Sequence, residues 1–217
     1  MSKSGRRSVR GIMVGGPSSA AALREAPAPN QDNLGRPKSA ACSAFLDHWM
    51  SIRDGQLVPT LSQFCETAAS TFAPASSIVE LQDNLAIVRF QGAMLLQRWG
   101  RDMTGSDLYD TFSYYYRVRA LSNIGKVAAY PCGYFGLNRL ILPDGVRVAS
   151  HFIQMPLVSG DGSATYIVHF ASAEPVDDPA EGGANYYRTL SAAWIDVGAG
   201  VPPKPPYLLN LMKAVRH

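Results

Sequence analysis

The chain has few cysteines, and their spacing suggests neither a disulfide framework nor a zinc site. Cys42, Cys65 and Cys132 are odd in number and far apart, and no Cys-x-x-Cys pair occurs among the 217 residues. This usage is typical of a reducing compartment, so we expect a cytoplasmic protein. No run approaches the ~20 apolar residues that a membrane-spanning helix needs, and no membrane span is predicted.

Recognisable catalytic motifs are also missing. The sequence contains no Gly-x-Ser-x-Gly, no phosphate-binding loop and no His-Glu-x-x-His. His151 and His169 fall inside neighbouring predicted strands, but no carboxylate or cysteine accompanies either of them at ligand spacing. Hydrogen-bonded strand histidines are therefore favoured over a metal pair. We predict no metal site, no catalytic residue and no enzyme activity.

Charge is scarce and unevenly distributed. Charged residues make up 17% of the chain, and residues 1–40 carry seven Lys/Arg against Glu25 and Asp32. The rest is slightly acidic, so no specific nucleic-acid surface is predicted for the folded part. The first residues loosely imitate a twin-arginine signal, but the apolar stretch is short and broken. We expect a disordered basic tail, which could alternatively tether the protein to nucleic acid or an acidic membrane.

The sequence is rich in strand and turn signals. Apolar residues make up 47% of it, and residues 137–170 hold three apolar runs separated by the glycine-containing turns 143–145 and 159–162. This predicts an antiparallel meander, and residues 77–81 and 85–92 predict a preceding hairpin. Helical spacing predicts helices at residues 43–54, 59–65, 93–99, 106–112 and 114–129. The order predicts an α+β fold with one five-stranded antiparallel sheet.

Three motifs follow one another at defined places in this order. Residues 45–49 read Phe-Leu-Asp-His-Trp, residues 100–105 read Gly-Arg-Asp-Met-Thr-Gly, and Met-Pro-Leu at 155–157 precedes Asp-Gly at 161–162. Together they resemble the PAS sensor domain, in its branch found mainly in alphaproteobacteria. The resemblance covers about residues 43–175. It implies the PAS fold, with helices on one face of the sheet and the N-terminal helix on or beside the other.

The resemblance divides the chain into a tail at 1–40, a PAS sensor domain at 41–175, and a linker with a C-terminal extension at 176–217. It implies a stand-alone regulatory protein that binds a small ligand or a protein partner and signals through protein–protein interaction. The alternative is a small enzyme on a cone-shaped α+β fold of the ketosteroid-isomerase type, with His151 or an aspartate as base. In the extension, residues 186–197 predict a helix or an additional strand, and 207–215 a short helix.

The resemblance also bears on cofactors. Flavin-adduct PAS domains need a cysteine in the loop where Met103 stands, and haem-binding ones take a histidine from the helix that here spans 114–129 and has none. Haem and covalent flavin are therefore disfavoured, and the identity of the ligand stays open.

Strand alternation predicts which side chains face a ligand cavity. With Pro156 aligned to the family's proline, the even positions of its strand face the cavity and the odd positions face away. On the helices, Phe112, Tyr115 and Tyr116 can share a face toward the sheet. The predicted ligand-binding residues are Phe90, Trp99, Phe112, Tyr116, Ser150, Phe152 and Gln154.

The first helix carries a wide apolar stripe that needs a partner surface. The stripe can fold back on the chain's own sheet, or it can pack on a second copy and form a two-fold dimer. We predict a homodimer that also engages an unidentified signalling protein, because no effector domain follows in this sequence. The predicted interface residues are Phe45, Leu46, Trp49, Ile52, Ile153 and Met155.

Overall fold

The computed structural model describes residues 35–68, 70–110, 112–177 and 187–211. Residues 1–34 of the tail predicted at 1–40, the linker residues 178–186 and the end of the chain at 212–217 lie outside the described residues. The helices are α1 (Ala40–Ser51), α2 (Leu61–Ala68), α3 (Ala93–Trp99) and α4 (Tyr114–Ala129). The strands are β1 (Ser76–Gln82), β2 (Leu85–Gln91), β3 (Gly133–Ile141), β4 (Arg147–Val158), β5 (Thr165–Pro175), β6 (Tyr187–Ile195) and β7 (Asn210–Leu211).

One antiparallel sheet contains all the described strands, in the order β2-β1-β5-β4-β3-β6-β7. The predicted α+β class, the hairpin and the meander are confirmed. The predicted number of five strands is wrong, because β6 pairs along β3 from Gly133 with Ile195 to Leu140 with Tyr187. The two-residue β7 then pairs with β6. A boundary at residue 175 therefore does not separate the extension from the sheet.

The helices flanked by clear capping signals lie where the sequence predicts them. Helix α3 ends at Gly100, whose φ of +68° suits glycine. Helix α4 begins after Ser113, whose side chain accepts a hydrogen bond from the Tyr116 backbone N–H. The predicted helix at 106–112 is absent from the described residues there. Their backbone bonds to the outer edge of β2 instead: the Val88 N–H donates to the Ser106 oxygen at 2.9 Å, and the Leu108 N–H to the Ala86 oxygen at 2.8 Å.

Apolar cores lie on both faces of the sheet. On one face, α1 and α2 cover side chains of β1, β4 and β5, and we call this the outer core. Its largest buried members are Phe45, Leu46, Trp49, Phe64, Ile153, Met155 and Leu157. On the other face, α4 packs over the sheet and forms the cavity-side core. Its buried members include Val88, Tyr116, Ile124, Val127, Tyr134, Phe152 and Ile167.

Helix α1 folds back on the sheet of its own chain. Phe45 stacks on Phe170 of β5 with ring centroids 5.0 Å apart, and Trp49 is fully buried. Ile153 and Met155 of β4 are fully buried in the same core, and Ile52 packs against it. The predicted interface is therefore wrong for these residues, since their apolar surface is already covered within the chain. Association of two copies through other residues stays a prediction.

Pro156 lies in β4 at a point where the strand has no neighbour on one side. β3 pairs with β4 only as far as Gln154, so the missing N–H of Pro156 removes no bond to β3. Its carbonyl oxygen accepts a hydrogen bond of 3.0 Å from the indole N–H of Trp49. This bond fixes α1 on the sheet. In the described part of the chain, no helix is both long and apolar enough to span a membrane.

We predict that Trp49→Ala lowers the free energy of unfolding by about 3–5 kcal/mol, because it removes a buried aromatic side chain. It also leaves the Pro156 carbonyl without its donor. Trp49→Phe is the matched control, and it should cost less because most of the apolar contact remains. Urea unfolding followed by circular dichroism measures both, and a loss below about 1 kcal/mol for Trp49→Ala would contradict the packing described.

Candidate functional site

A cavity of about 480 Å³ lies between the sheet and α4. Its volume falls within the ~300–1,000 Å³ typical of sites for small organic molecules. The strands supply its floor, while α3, α4 and the loop between them supply most of its walls. The lining is mainly apolar and aromatic, with a few polar groups at defined positions.

The first row of floor residues is polar and crosses the sheet from β1 to β3. Ser77 pairs in register with His169, His169 with Gln154, and Gln154 with Tyr134. All four line the cavity. The Gln154 amide nitrogen lies 3.3 Å from the His169 Nδ1, and the amide oxygen has no hydrogen-bond partner among the described residues.

The second row is apolar. Ala171, Phe152 and Gly136 pair in register across β5, β4 and β3. A Cβ atom on Gly136 would lie 2.9 Å from the Phe152 ring and would collide with the Ser191 backbone oxygen. The glycine therefore lets the ring of Phe152 approach β3 closely. The flat, apolar centre of the floor depends on that approach.

The third row is polar again. Ser150 pairs with Asn138, and Asn138 with Thr189, so the row crosses β4, β3 and β6. All three are buried, with Asn138 3% exposed. The Asn138 Oδ1 has no hydrogen-bond partner among the described residues. An unpaired buried acceptor costs about 1–3 kcal/mol, so a donor from a bound molecule would be stabilising here.

Aromatic rings from α4, from the residue Phe112 before it and from the edge of β6 form one wall of the cavity. Phe112 stacks on Tyr116 with centroids 4.6 Å apart, and Tyr116 meets Tyr187 edge-to-face at 5.7 Å. Burial raises the pKa of Tyr116 well above its ordinary value and that of Tyr187 to about 12. Both phenols are therefore neutral at physiological pH. They present hydroxyl groups rather than charges.

The loop that resembles a family motif forms the cavity edge next to α3. The Gln91 side chain fastens it, donating to the Arg101 oxygen at 3.0 Å and accepting from the Met103 N–H at 2.8 Å. The Asp102 carboxylate accepts from the Thr104 N–H at 2.9 Å and stabilises the turn, as its lowered pKa also indicates. The conformation of this loop places Met103 in the cavity lining.

The C-terminal segment is joined to the cavity through Asn123 of α4. The Asn123 side chain donates to the Tyr207 oxygen at 2.9 Å and accepts from the Tyr207 N–H at 3.0 Å. Two residues later, Leu209 lines the cavity. Asn123 also lines it, so one amide contacts both the cavity and the segment that leaves it.

Among the described residues that line the cavity, only Arg98 and Arg101 carry a formal charge. None of the lining residues is Asp or Glu. Burial and, to a smaller extent, the nearby charge of Arg98 lower the pKa of His169 to about 4, so the imidazole is neutral near pH 7. The His169 Nδ1 and the Gln154 amide nitrogen form a hydrogen bond that holds the ring in place on the floor of the cavity. Burial also lowers the pKa of Arg98.

Six of the seven predicted ligand-binding residues line the cavity. Phe90 does not: it is 38% exposed and lies on the face of α2. The reason is a β-bulge in β2. Ile78 pairs with Phe90 but Val79 pairs with Val88, so β2 has one extra residue at this step. Phe90 and Val88 therefore face opposite sides of the sheet. Tyr115, expected to face the sheet, is 61% exposed.

Sequence reasoning missed part of the polar lining. Asn138 is a neutral polar residue among mainly apolar strand positions, next to Arg139, and that contrast is the available signal for it. Arg98 and Asn123 lie on amphipathic helices, where a polar residue ordinarily faces solvent. His169 was expected to be a hydrogen-bonded strand histidine, and its bond to Gln154 confirms this.

The two strand histidines do not come together. His169 lines the cavity, whereas His151 occupies the opposite parity of β4 and faces the side of α1. The described residues contain no group of three His, Cys, Asp or Glu placed to hold a metal ion. The alternative enzyme requires a buried carboxylate beside one of these histidines, and no described Asp or Glu lines the cavity.

Comparison with known proteins assigns no family. No protein-family model matches the chain, and no curated protein matches it in sequence. The function is therefore inferred from the cavity and its lining.

We predict that His169 makes the protein less stable as the pH falls from about 6.5 to about 4. The native imidazole resists protonation in this range and the unfolded one does not, so acid favours the unfolded state. The contribution is about 3 kcal/mol, because the pKa falls from 6.5 to about 4 at ~1.4 kcal/mol per pKa unit. Urea unfolding of the wild type and of His169→Gln across this range measures it as the difference between their slopes.

The matched control is His151→Gln, which removes a histidine from the opposite face of the same sheet. Equal slopes for the wild type and His169→Gln would contradict the burial of a neutral His169.

Proposed function

We propose that the protein is a PAS-type sensor that binds a small organic ligand in the cavity and passes the binding event on through its surface. The observation that carries the proposal is the cavity itself, with an apolar row between two polar rows. Gln154 Oε1 and Asn138 Oδ1 both lack a partner among the described residues. Groups of this kind are stabilised by a ligand that supplies donors.

The arrangement of the elements supports the PAS assignment. Two hairpin strands and a three-strand meander flank the helical segment, and β1 joins β5 so that both groups form one sheet. The loop at 100–105 borders the cavity, and α1 covers the opposite face. These are the places that the resemblance gives to its motifs. The strands β6 and β7 are additions to that pattern.

A route from the cavity to the surface supports the signalling part of the proposal. Asn123 contacts the backbone of Tyr207, whose ring lies 5.4 Å from the Arg119 guanidinium carbon and 4.7 Å from the Lys126 ammonium. Tyr207 is 44% exposed, so a change at Asn123 reaches a surface where a partner can bind. The homodimer and the unidentified signalling partner belong to this proposal.

Native mass spectrometry and an absorption spectrum of the purified protein test whether a ligand accompanies it. We expect a bound small molecule that is lost on denaturation. Ala171→Leu extends a side chain from the floor into the cavity and should prevent this molecule from binding. Because the cavity has room for the larger side chain, the free energy of unfolding should stay within ~0.5 kcal/mol of the wild-type value.

Ala86→Leu is the matched control, since Ala86 is fully buried in the same core and does not line the cavity. Overpacking there should cost about 1–3 kcal/mol. If Ala171→Leu costs as much as Ala86→Leu, the site is closely packed and the proposed binding cavity is wrong.

A further inference from the structure

We infer that the ligand is an elongated aromatic carboxylate whose carboxylate lies at Arg98 and His169 and whose opposite end donates a hydrogen bond to Asn138. This inference rests on the proposed function, because it specifies the chemistry of the molecule that occupies the same cavity. It is carried by the positions of the cation, of the two unpaired acceptors and of the apolar row between them.

The negative end is assigned from Arg98. This side chain lines the cavity, and neither an ion pair nor a hydrogen bond joins it to any described residue. A partly desolvated guanidinium without a counter-ion favours an anionic ligand group. His169 lines the same cavity, and its imidazole can add a second donor to the same anion.

One negative charge fits this end better than two. Arg101 also lines the cavity, but it already has an interaction within the chain. A single guanidinium balances a carboxylate, whereas a phosphate dianion would leave a charge without compensation in a largely apolar site. The planar fork of arginine also matches the two oxygens of a carboxylate.

The donor end is assigned from Asn138. Its Oδ1 is an unpaired acceptor in a residue 3% exposed, beside the hydroxyl of Ser150 on the neighbouring strand. A hydroxyl or amine on the ligand satisfies this acceptor. A second unpaired acceptor, Gln154 Oε1, lies in the row that contains His169 and can take a donor near the carboxylate.

The length and shape of the ligand follow from the rows. Positions 150 and 154 of β4 are separated by about 13 Å along the strand, at ~3.3 Å per residue. The apolar row with Phe152 and Ala171 lies between them, and Phe112 and Tyr116 face it from the wall. A flat aromatic body fills this space and stacks on these rings. A two-ring molecule with polar groups at opposite ends therefore fits.

The experiment compares three probes by isothermal titration calorimetry with the full chain. They are 6-hydroxy-2-naphthoate, 6-hydroxy-2-naphthamide, which lacks the charge, and 2-naphthoate, which lacks the donor. We expect 6-hydroxy-2-naphthoate to bind at least ten-fold more tightly than the amide and several-fold more tightly than 2-naphthoate. Arg98→Met should abolish the preference over the amide, and a circular dichroism spectrum like that of the wild type shows that the variant is folded.

Arg147→Met is the matched control, because Arg147 is exposed at the start of β4 and does not line the cavity. It should behave as the wild type, and Arg98→Lys should keep part of the preference. Equal binding of the naphthoate and the amide, or a preference that survives Arg98→Met, overturns the inference and leaves the proposed cavity function intact. Failure of all three probes to bind at millimolar concentration also overturns the inference, and the comparison of Ala171→Leu with Ala86→Leu then decides whether the proposed cavity function stands.

Discussion

The packing of α1 on one face of β4 determines what the other face of that strand can do. Side chains alternate along a strand, so Ile153 and Met155 can be buried under α1 only if Phe152 and Gln154 face the opposite way. The hydrogen bond from Trp49 to the Pro156 carbonyl, at 3.0 Å, holds the helix at that position. A shift of β4 by one residue would bring Gln154 under α1 and Ile153 into the cavity. The outer core thus fixes which side chains of β4 line the cavity without contacting the cavity itself.

The sequence predicted those features that depend on local chemistry. The glycine after Trp99 marks the end of α3, and the serine before Tyr114 marks the start of α4. The alternation along β4 placed Ser150, Phe152 and Gln154 on the cavity side. It did not predict features that depend on pairing between distant strands. The polar rows exist only because β5, β4 and β3 align His169 with Gln154 and Ser150 with Asn138. Neither register is readable from any one strand.

Two further errors have physical causes of the same kind. A single extra residue in β2, opposite the step between Ile78 and Val79, moves Phe90 to the face of α2, and no property of the sequence marks the bulge. The stripe of α1 was assigned to a partner because apolar surface buried within a chain is chemically the same as apolar surface buried between chains. Only the position of the helix separates the two, and it places Phe45 on Phe170 of its own sheet.

The strands after residue 175 complete the cavity rather than merely lengthening the sheet. β6 supplies Tyr187 to the wall and Thr189 to the third polar row, and the segment beyond it supplies Leu209. A sheet that ended at β3 would expose the Asn138 row at an open edge, where water would satisfy its acceptor and reduce its selectivity for a ligand donor. Because Asn123 binds the backbone of Tyr207, the same segment that encloses the cavity is attached to its wall. The enclosure of the cavity therefore depends on the position of the C-terminal segment.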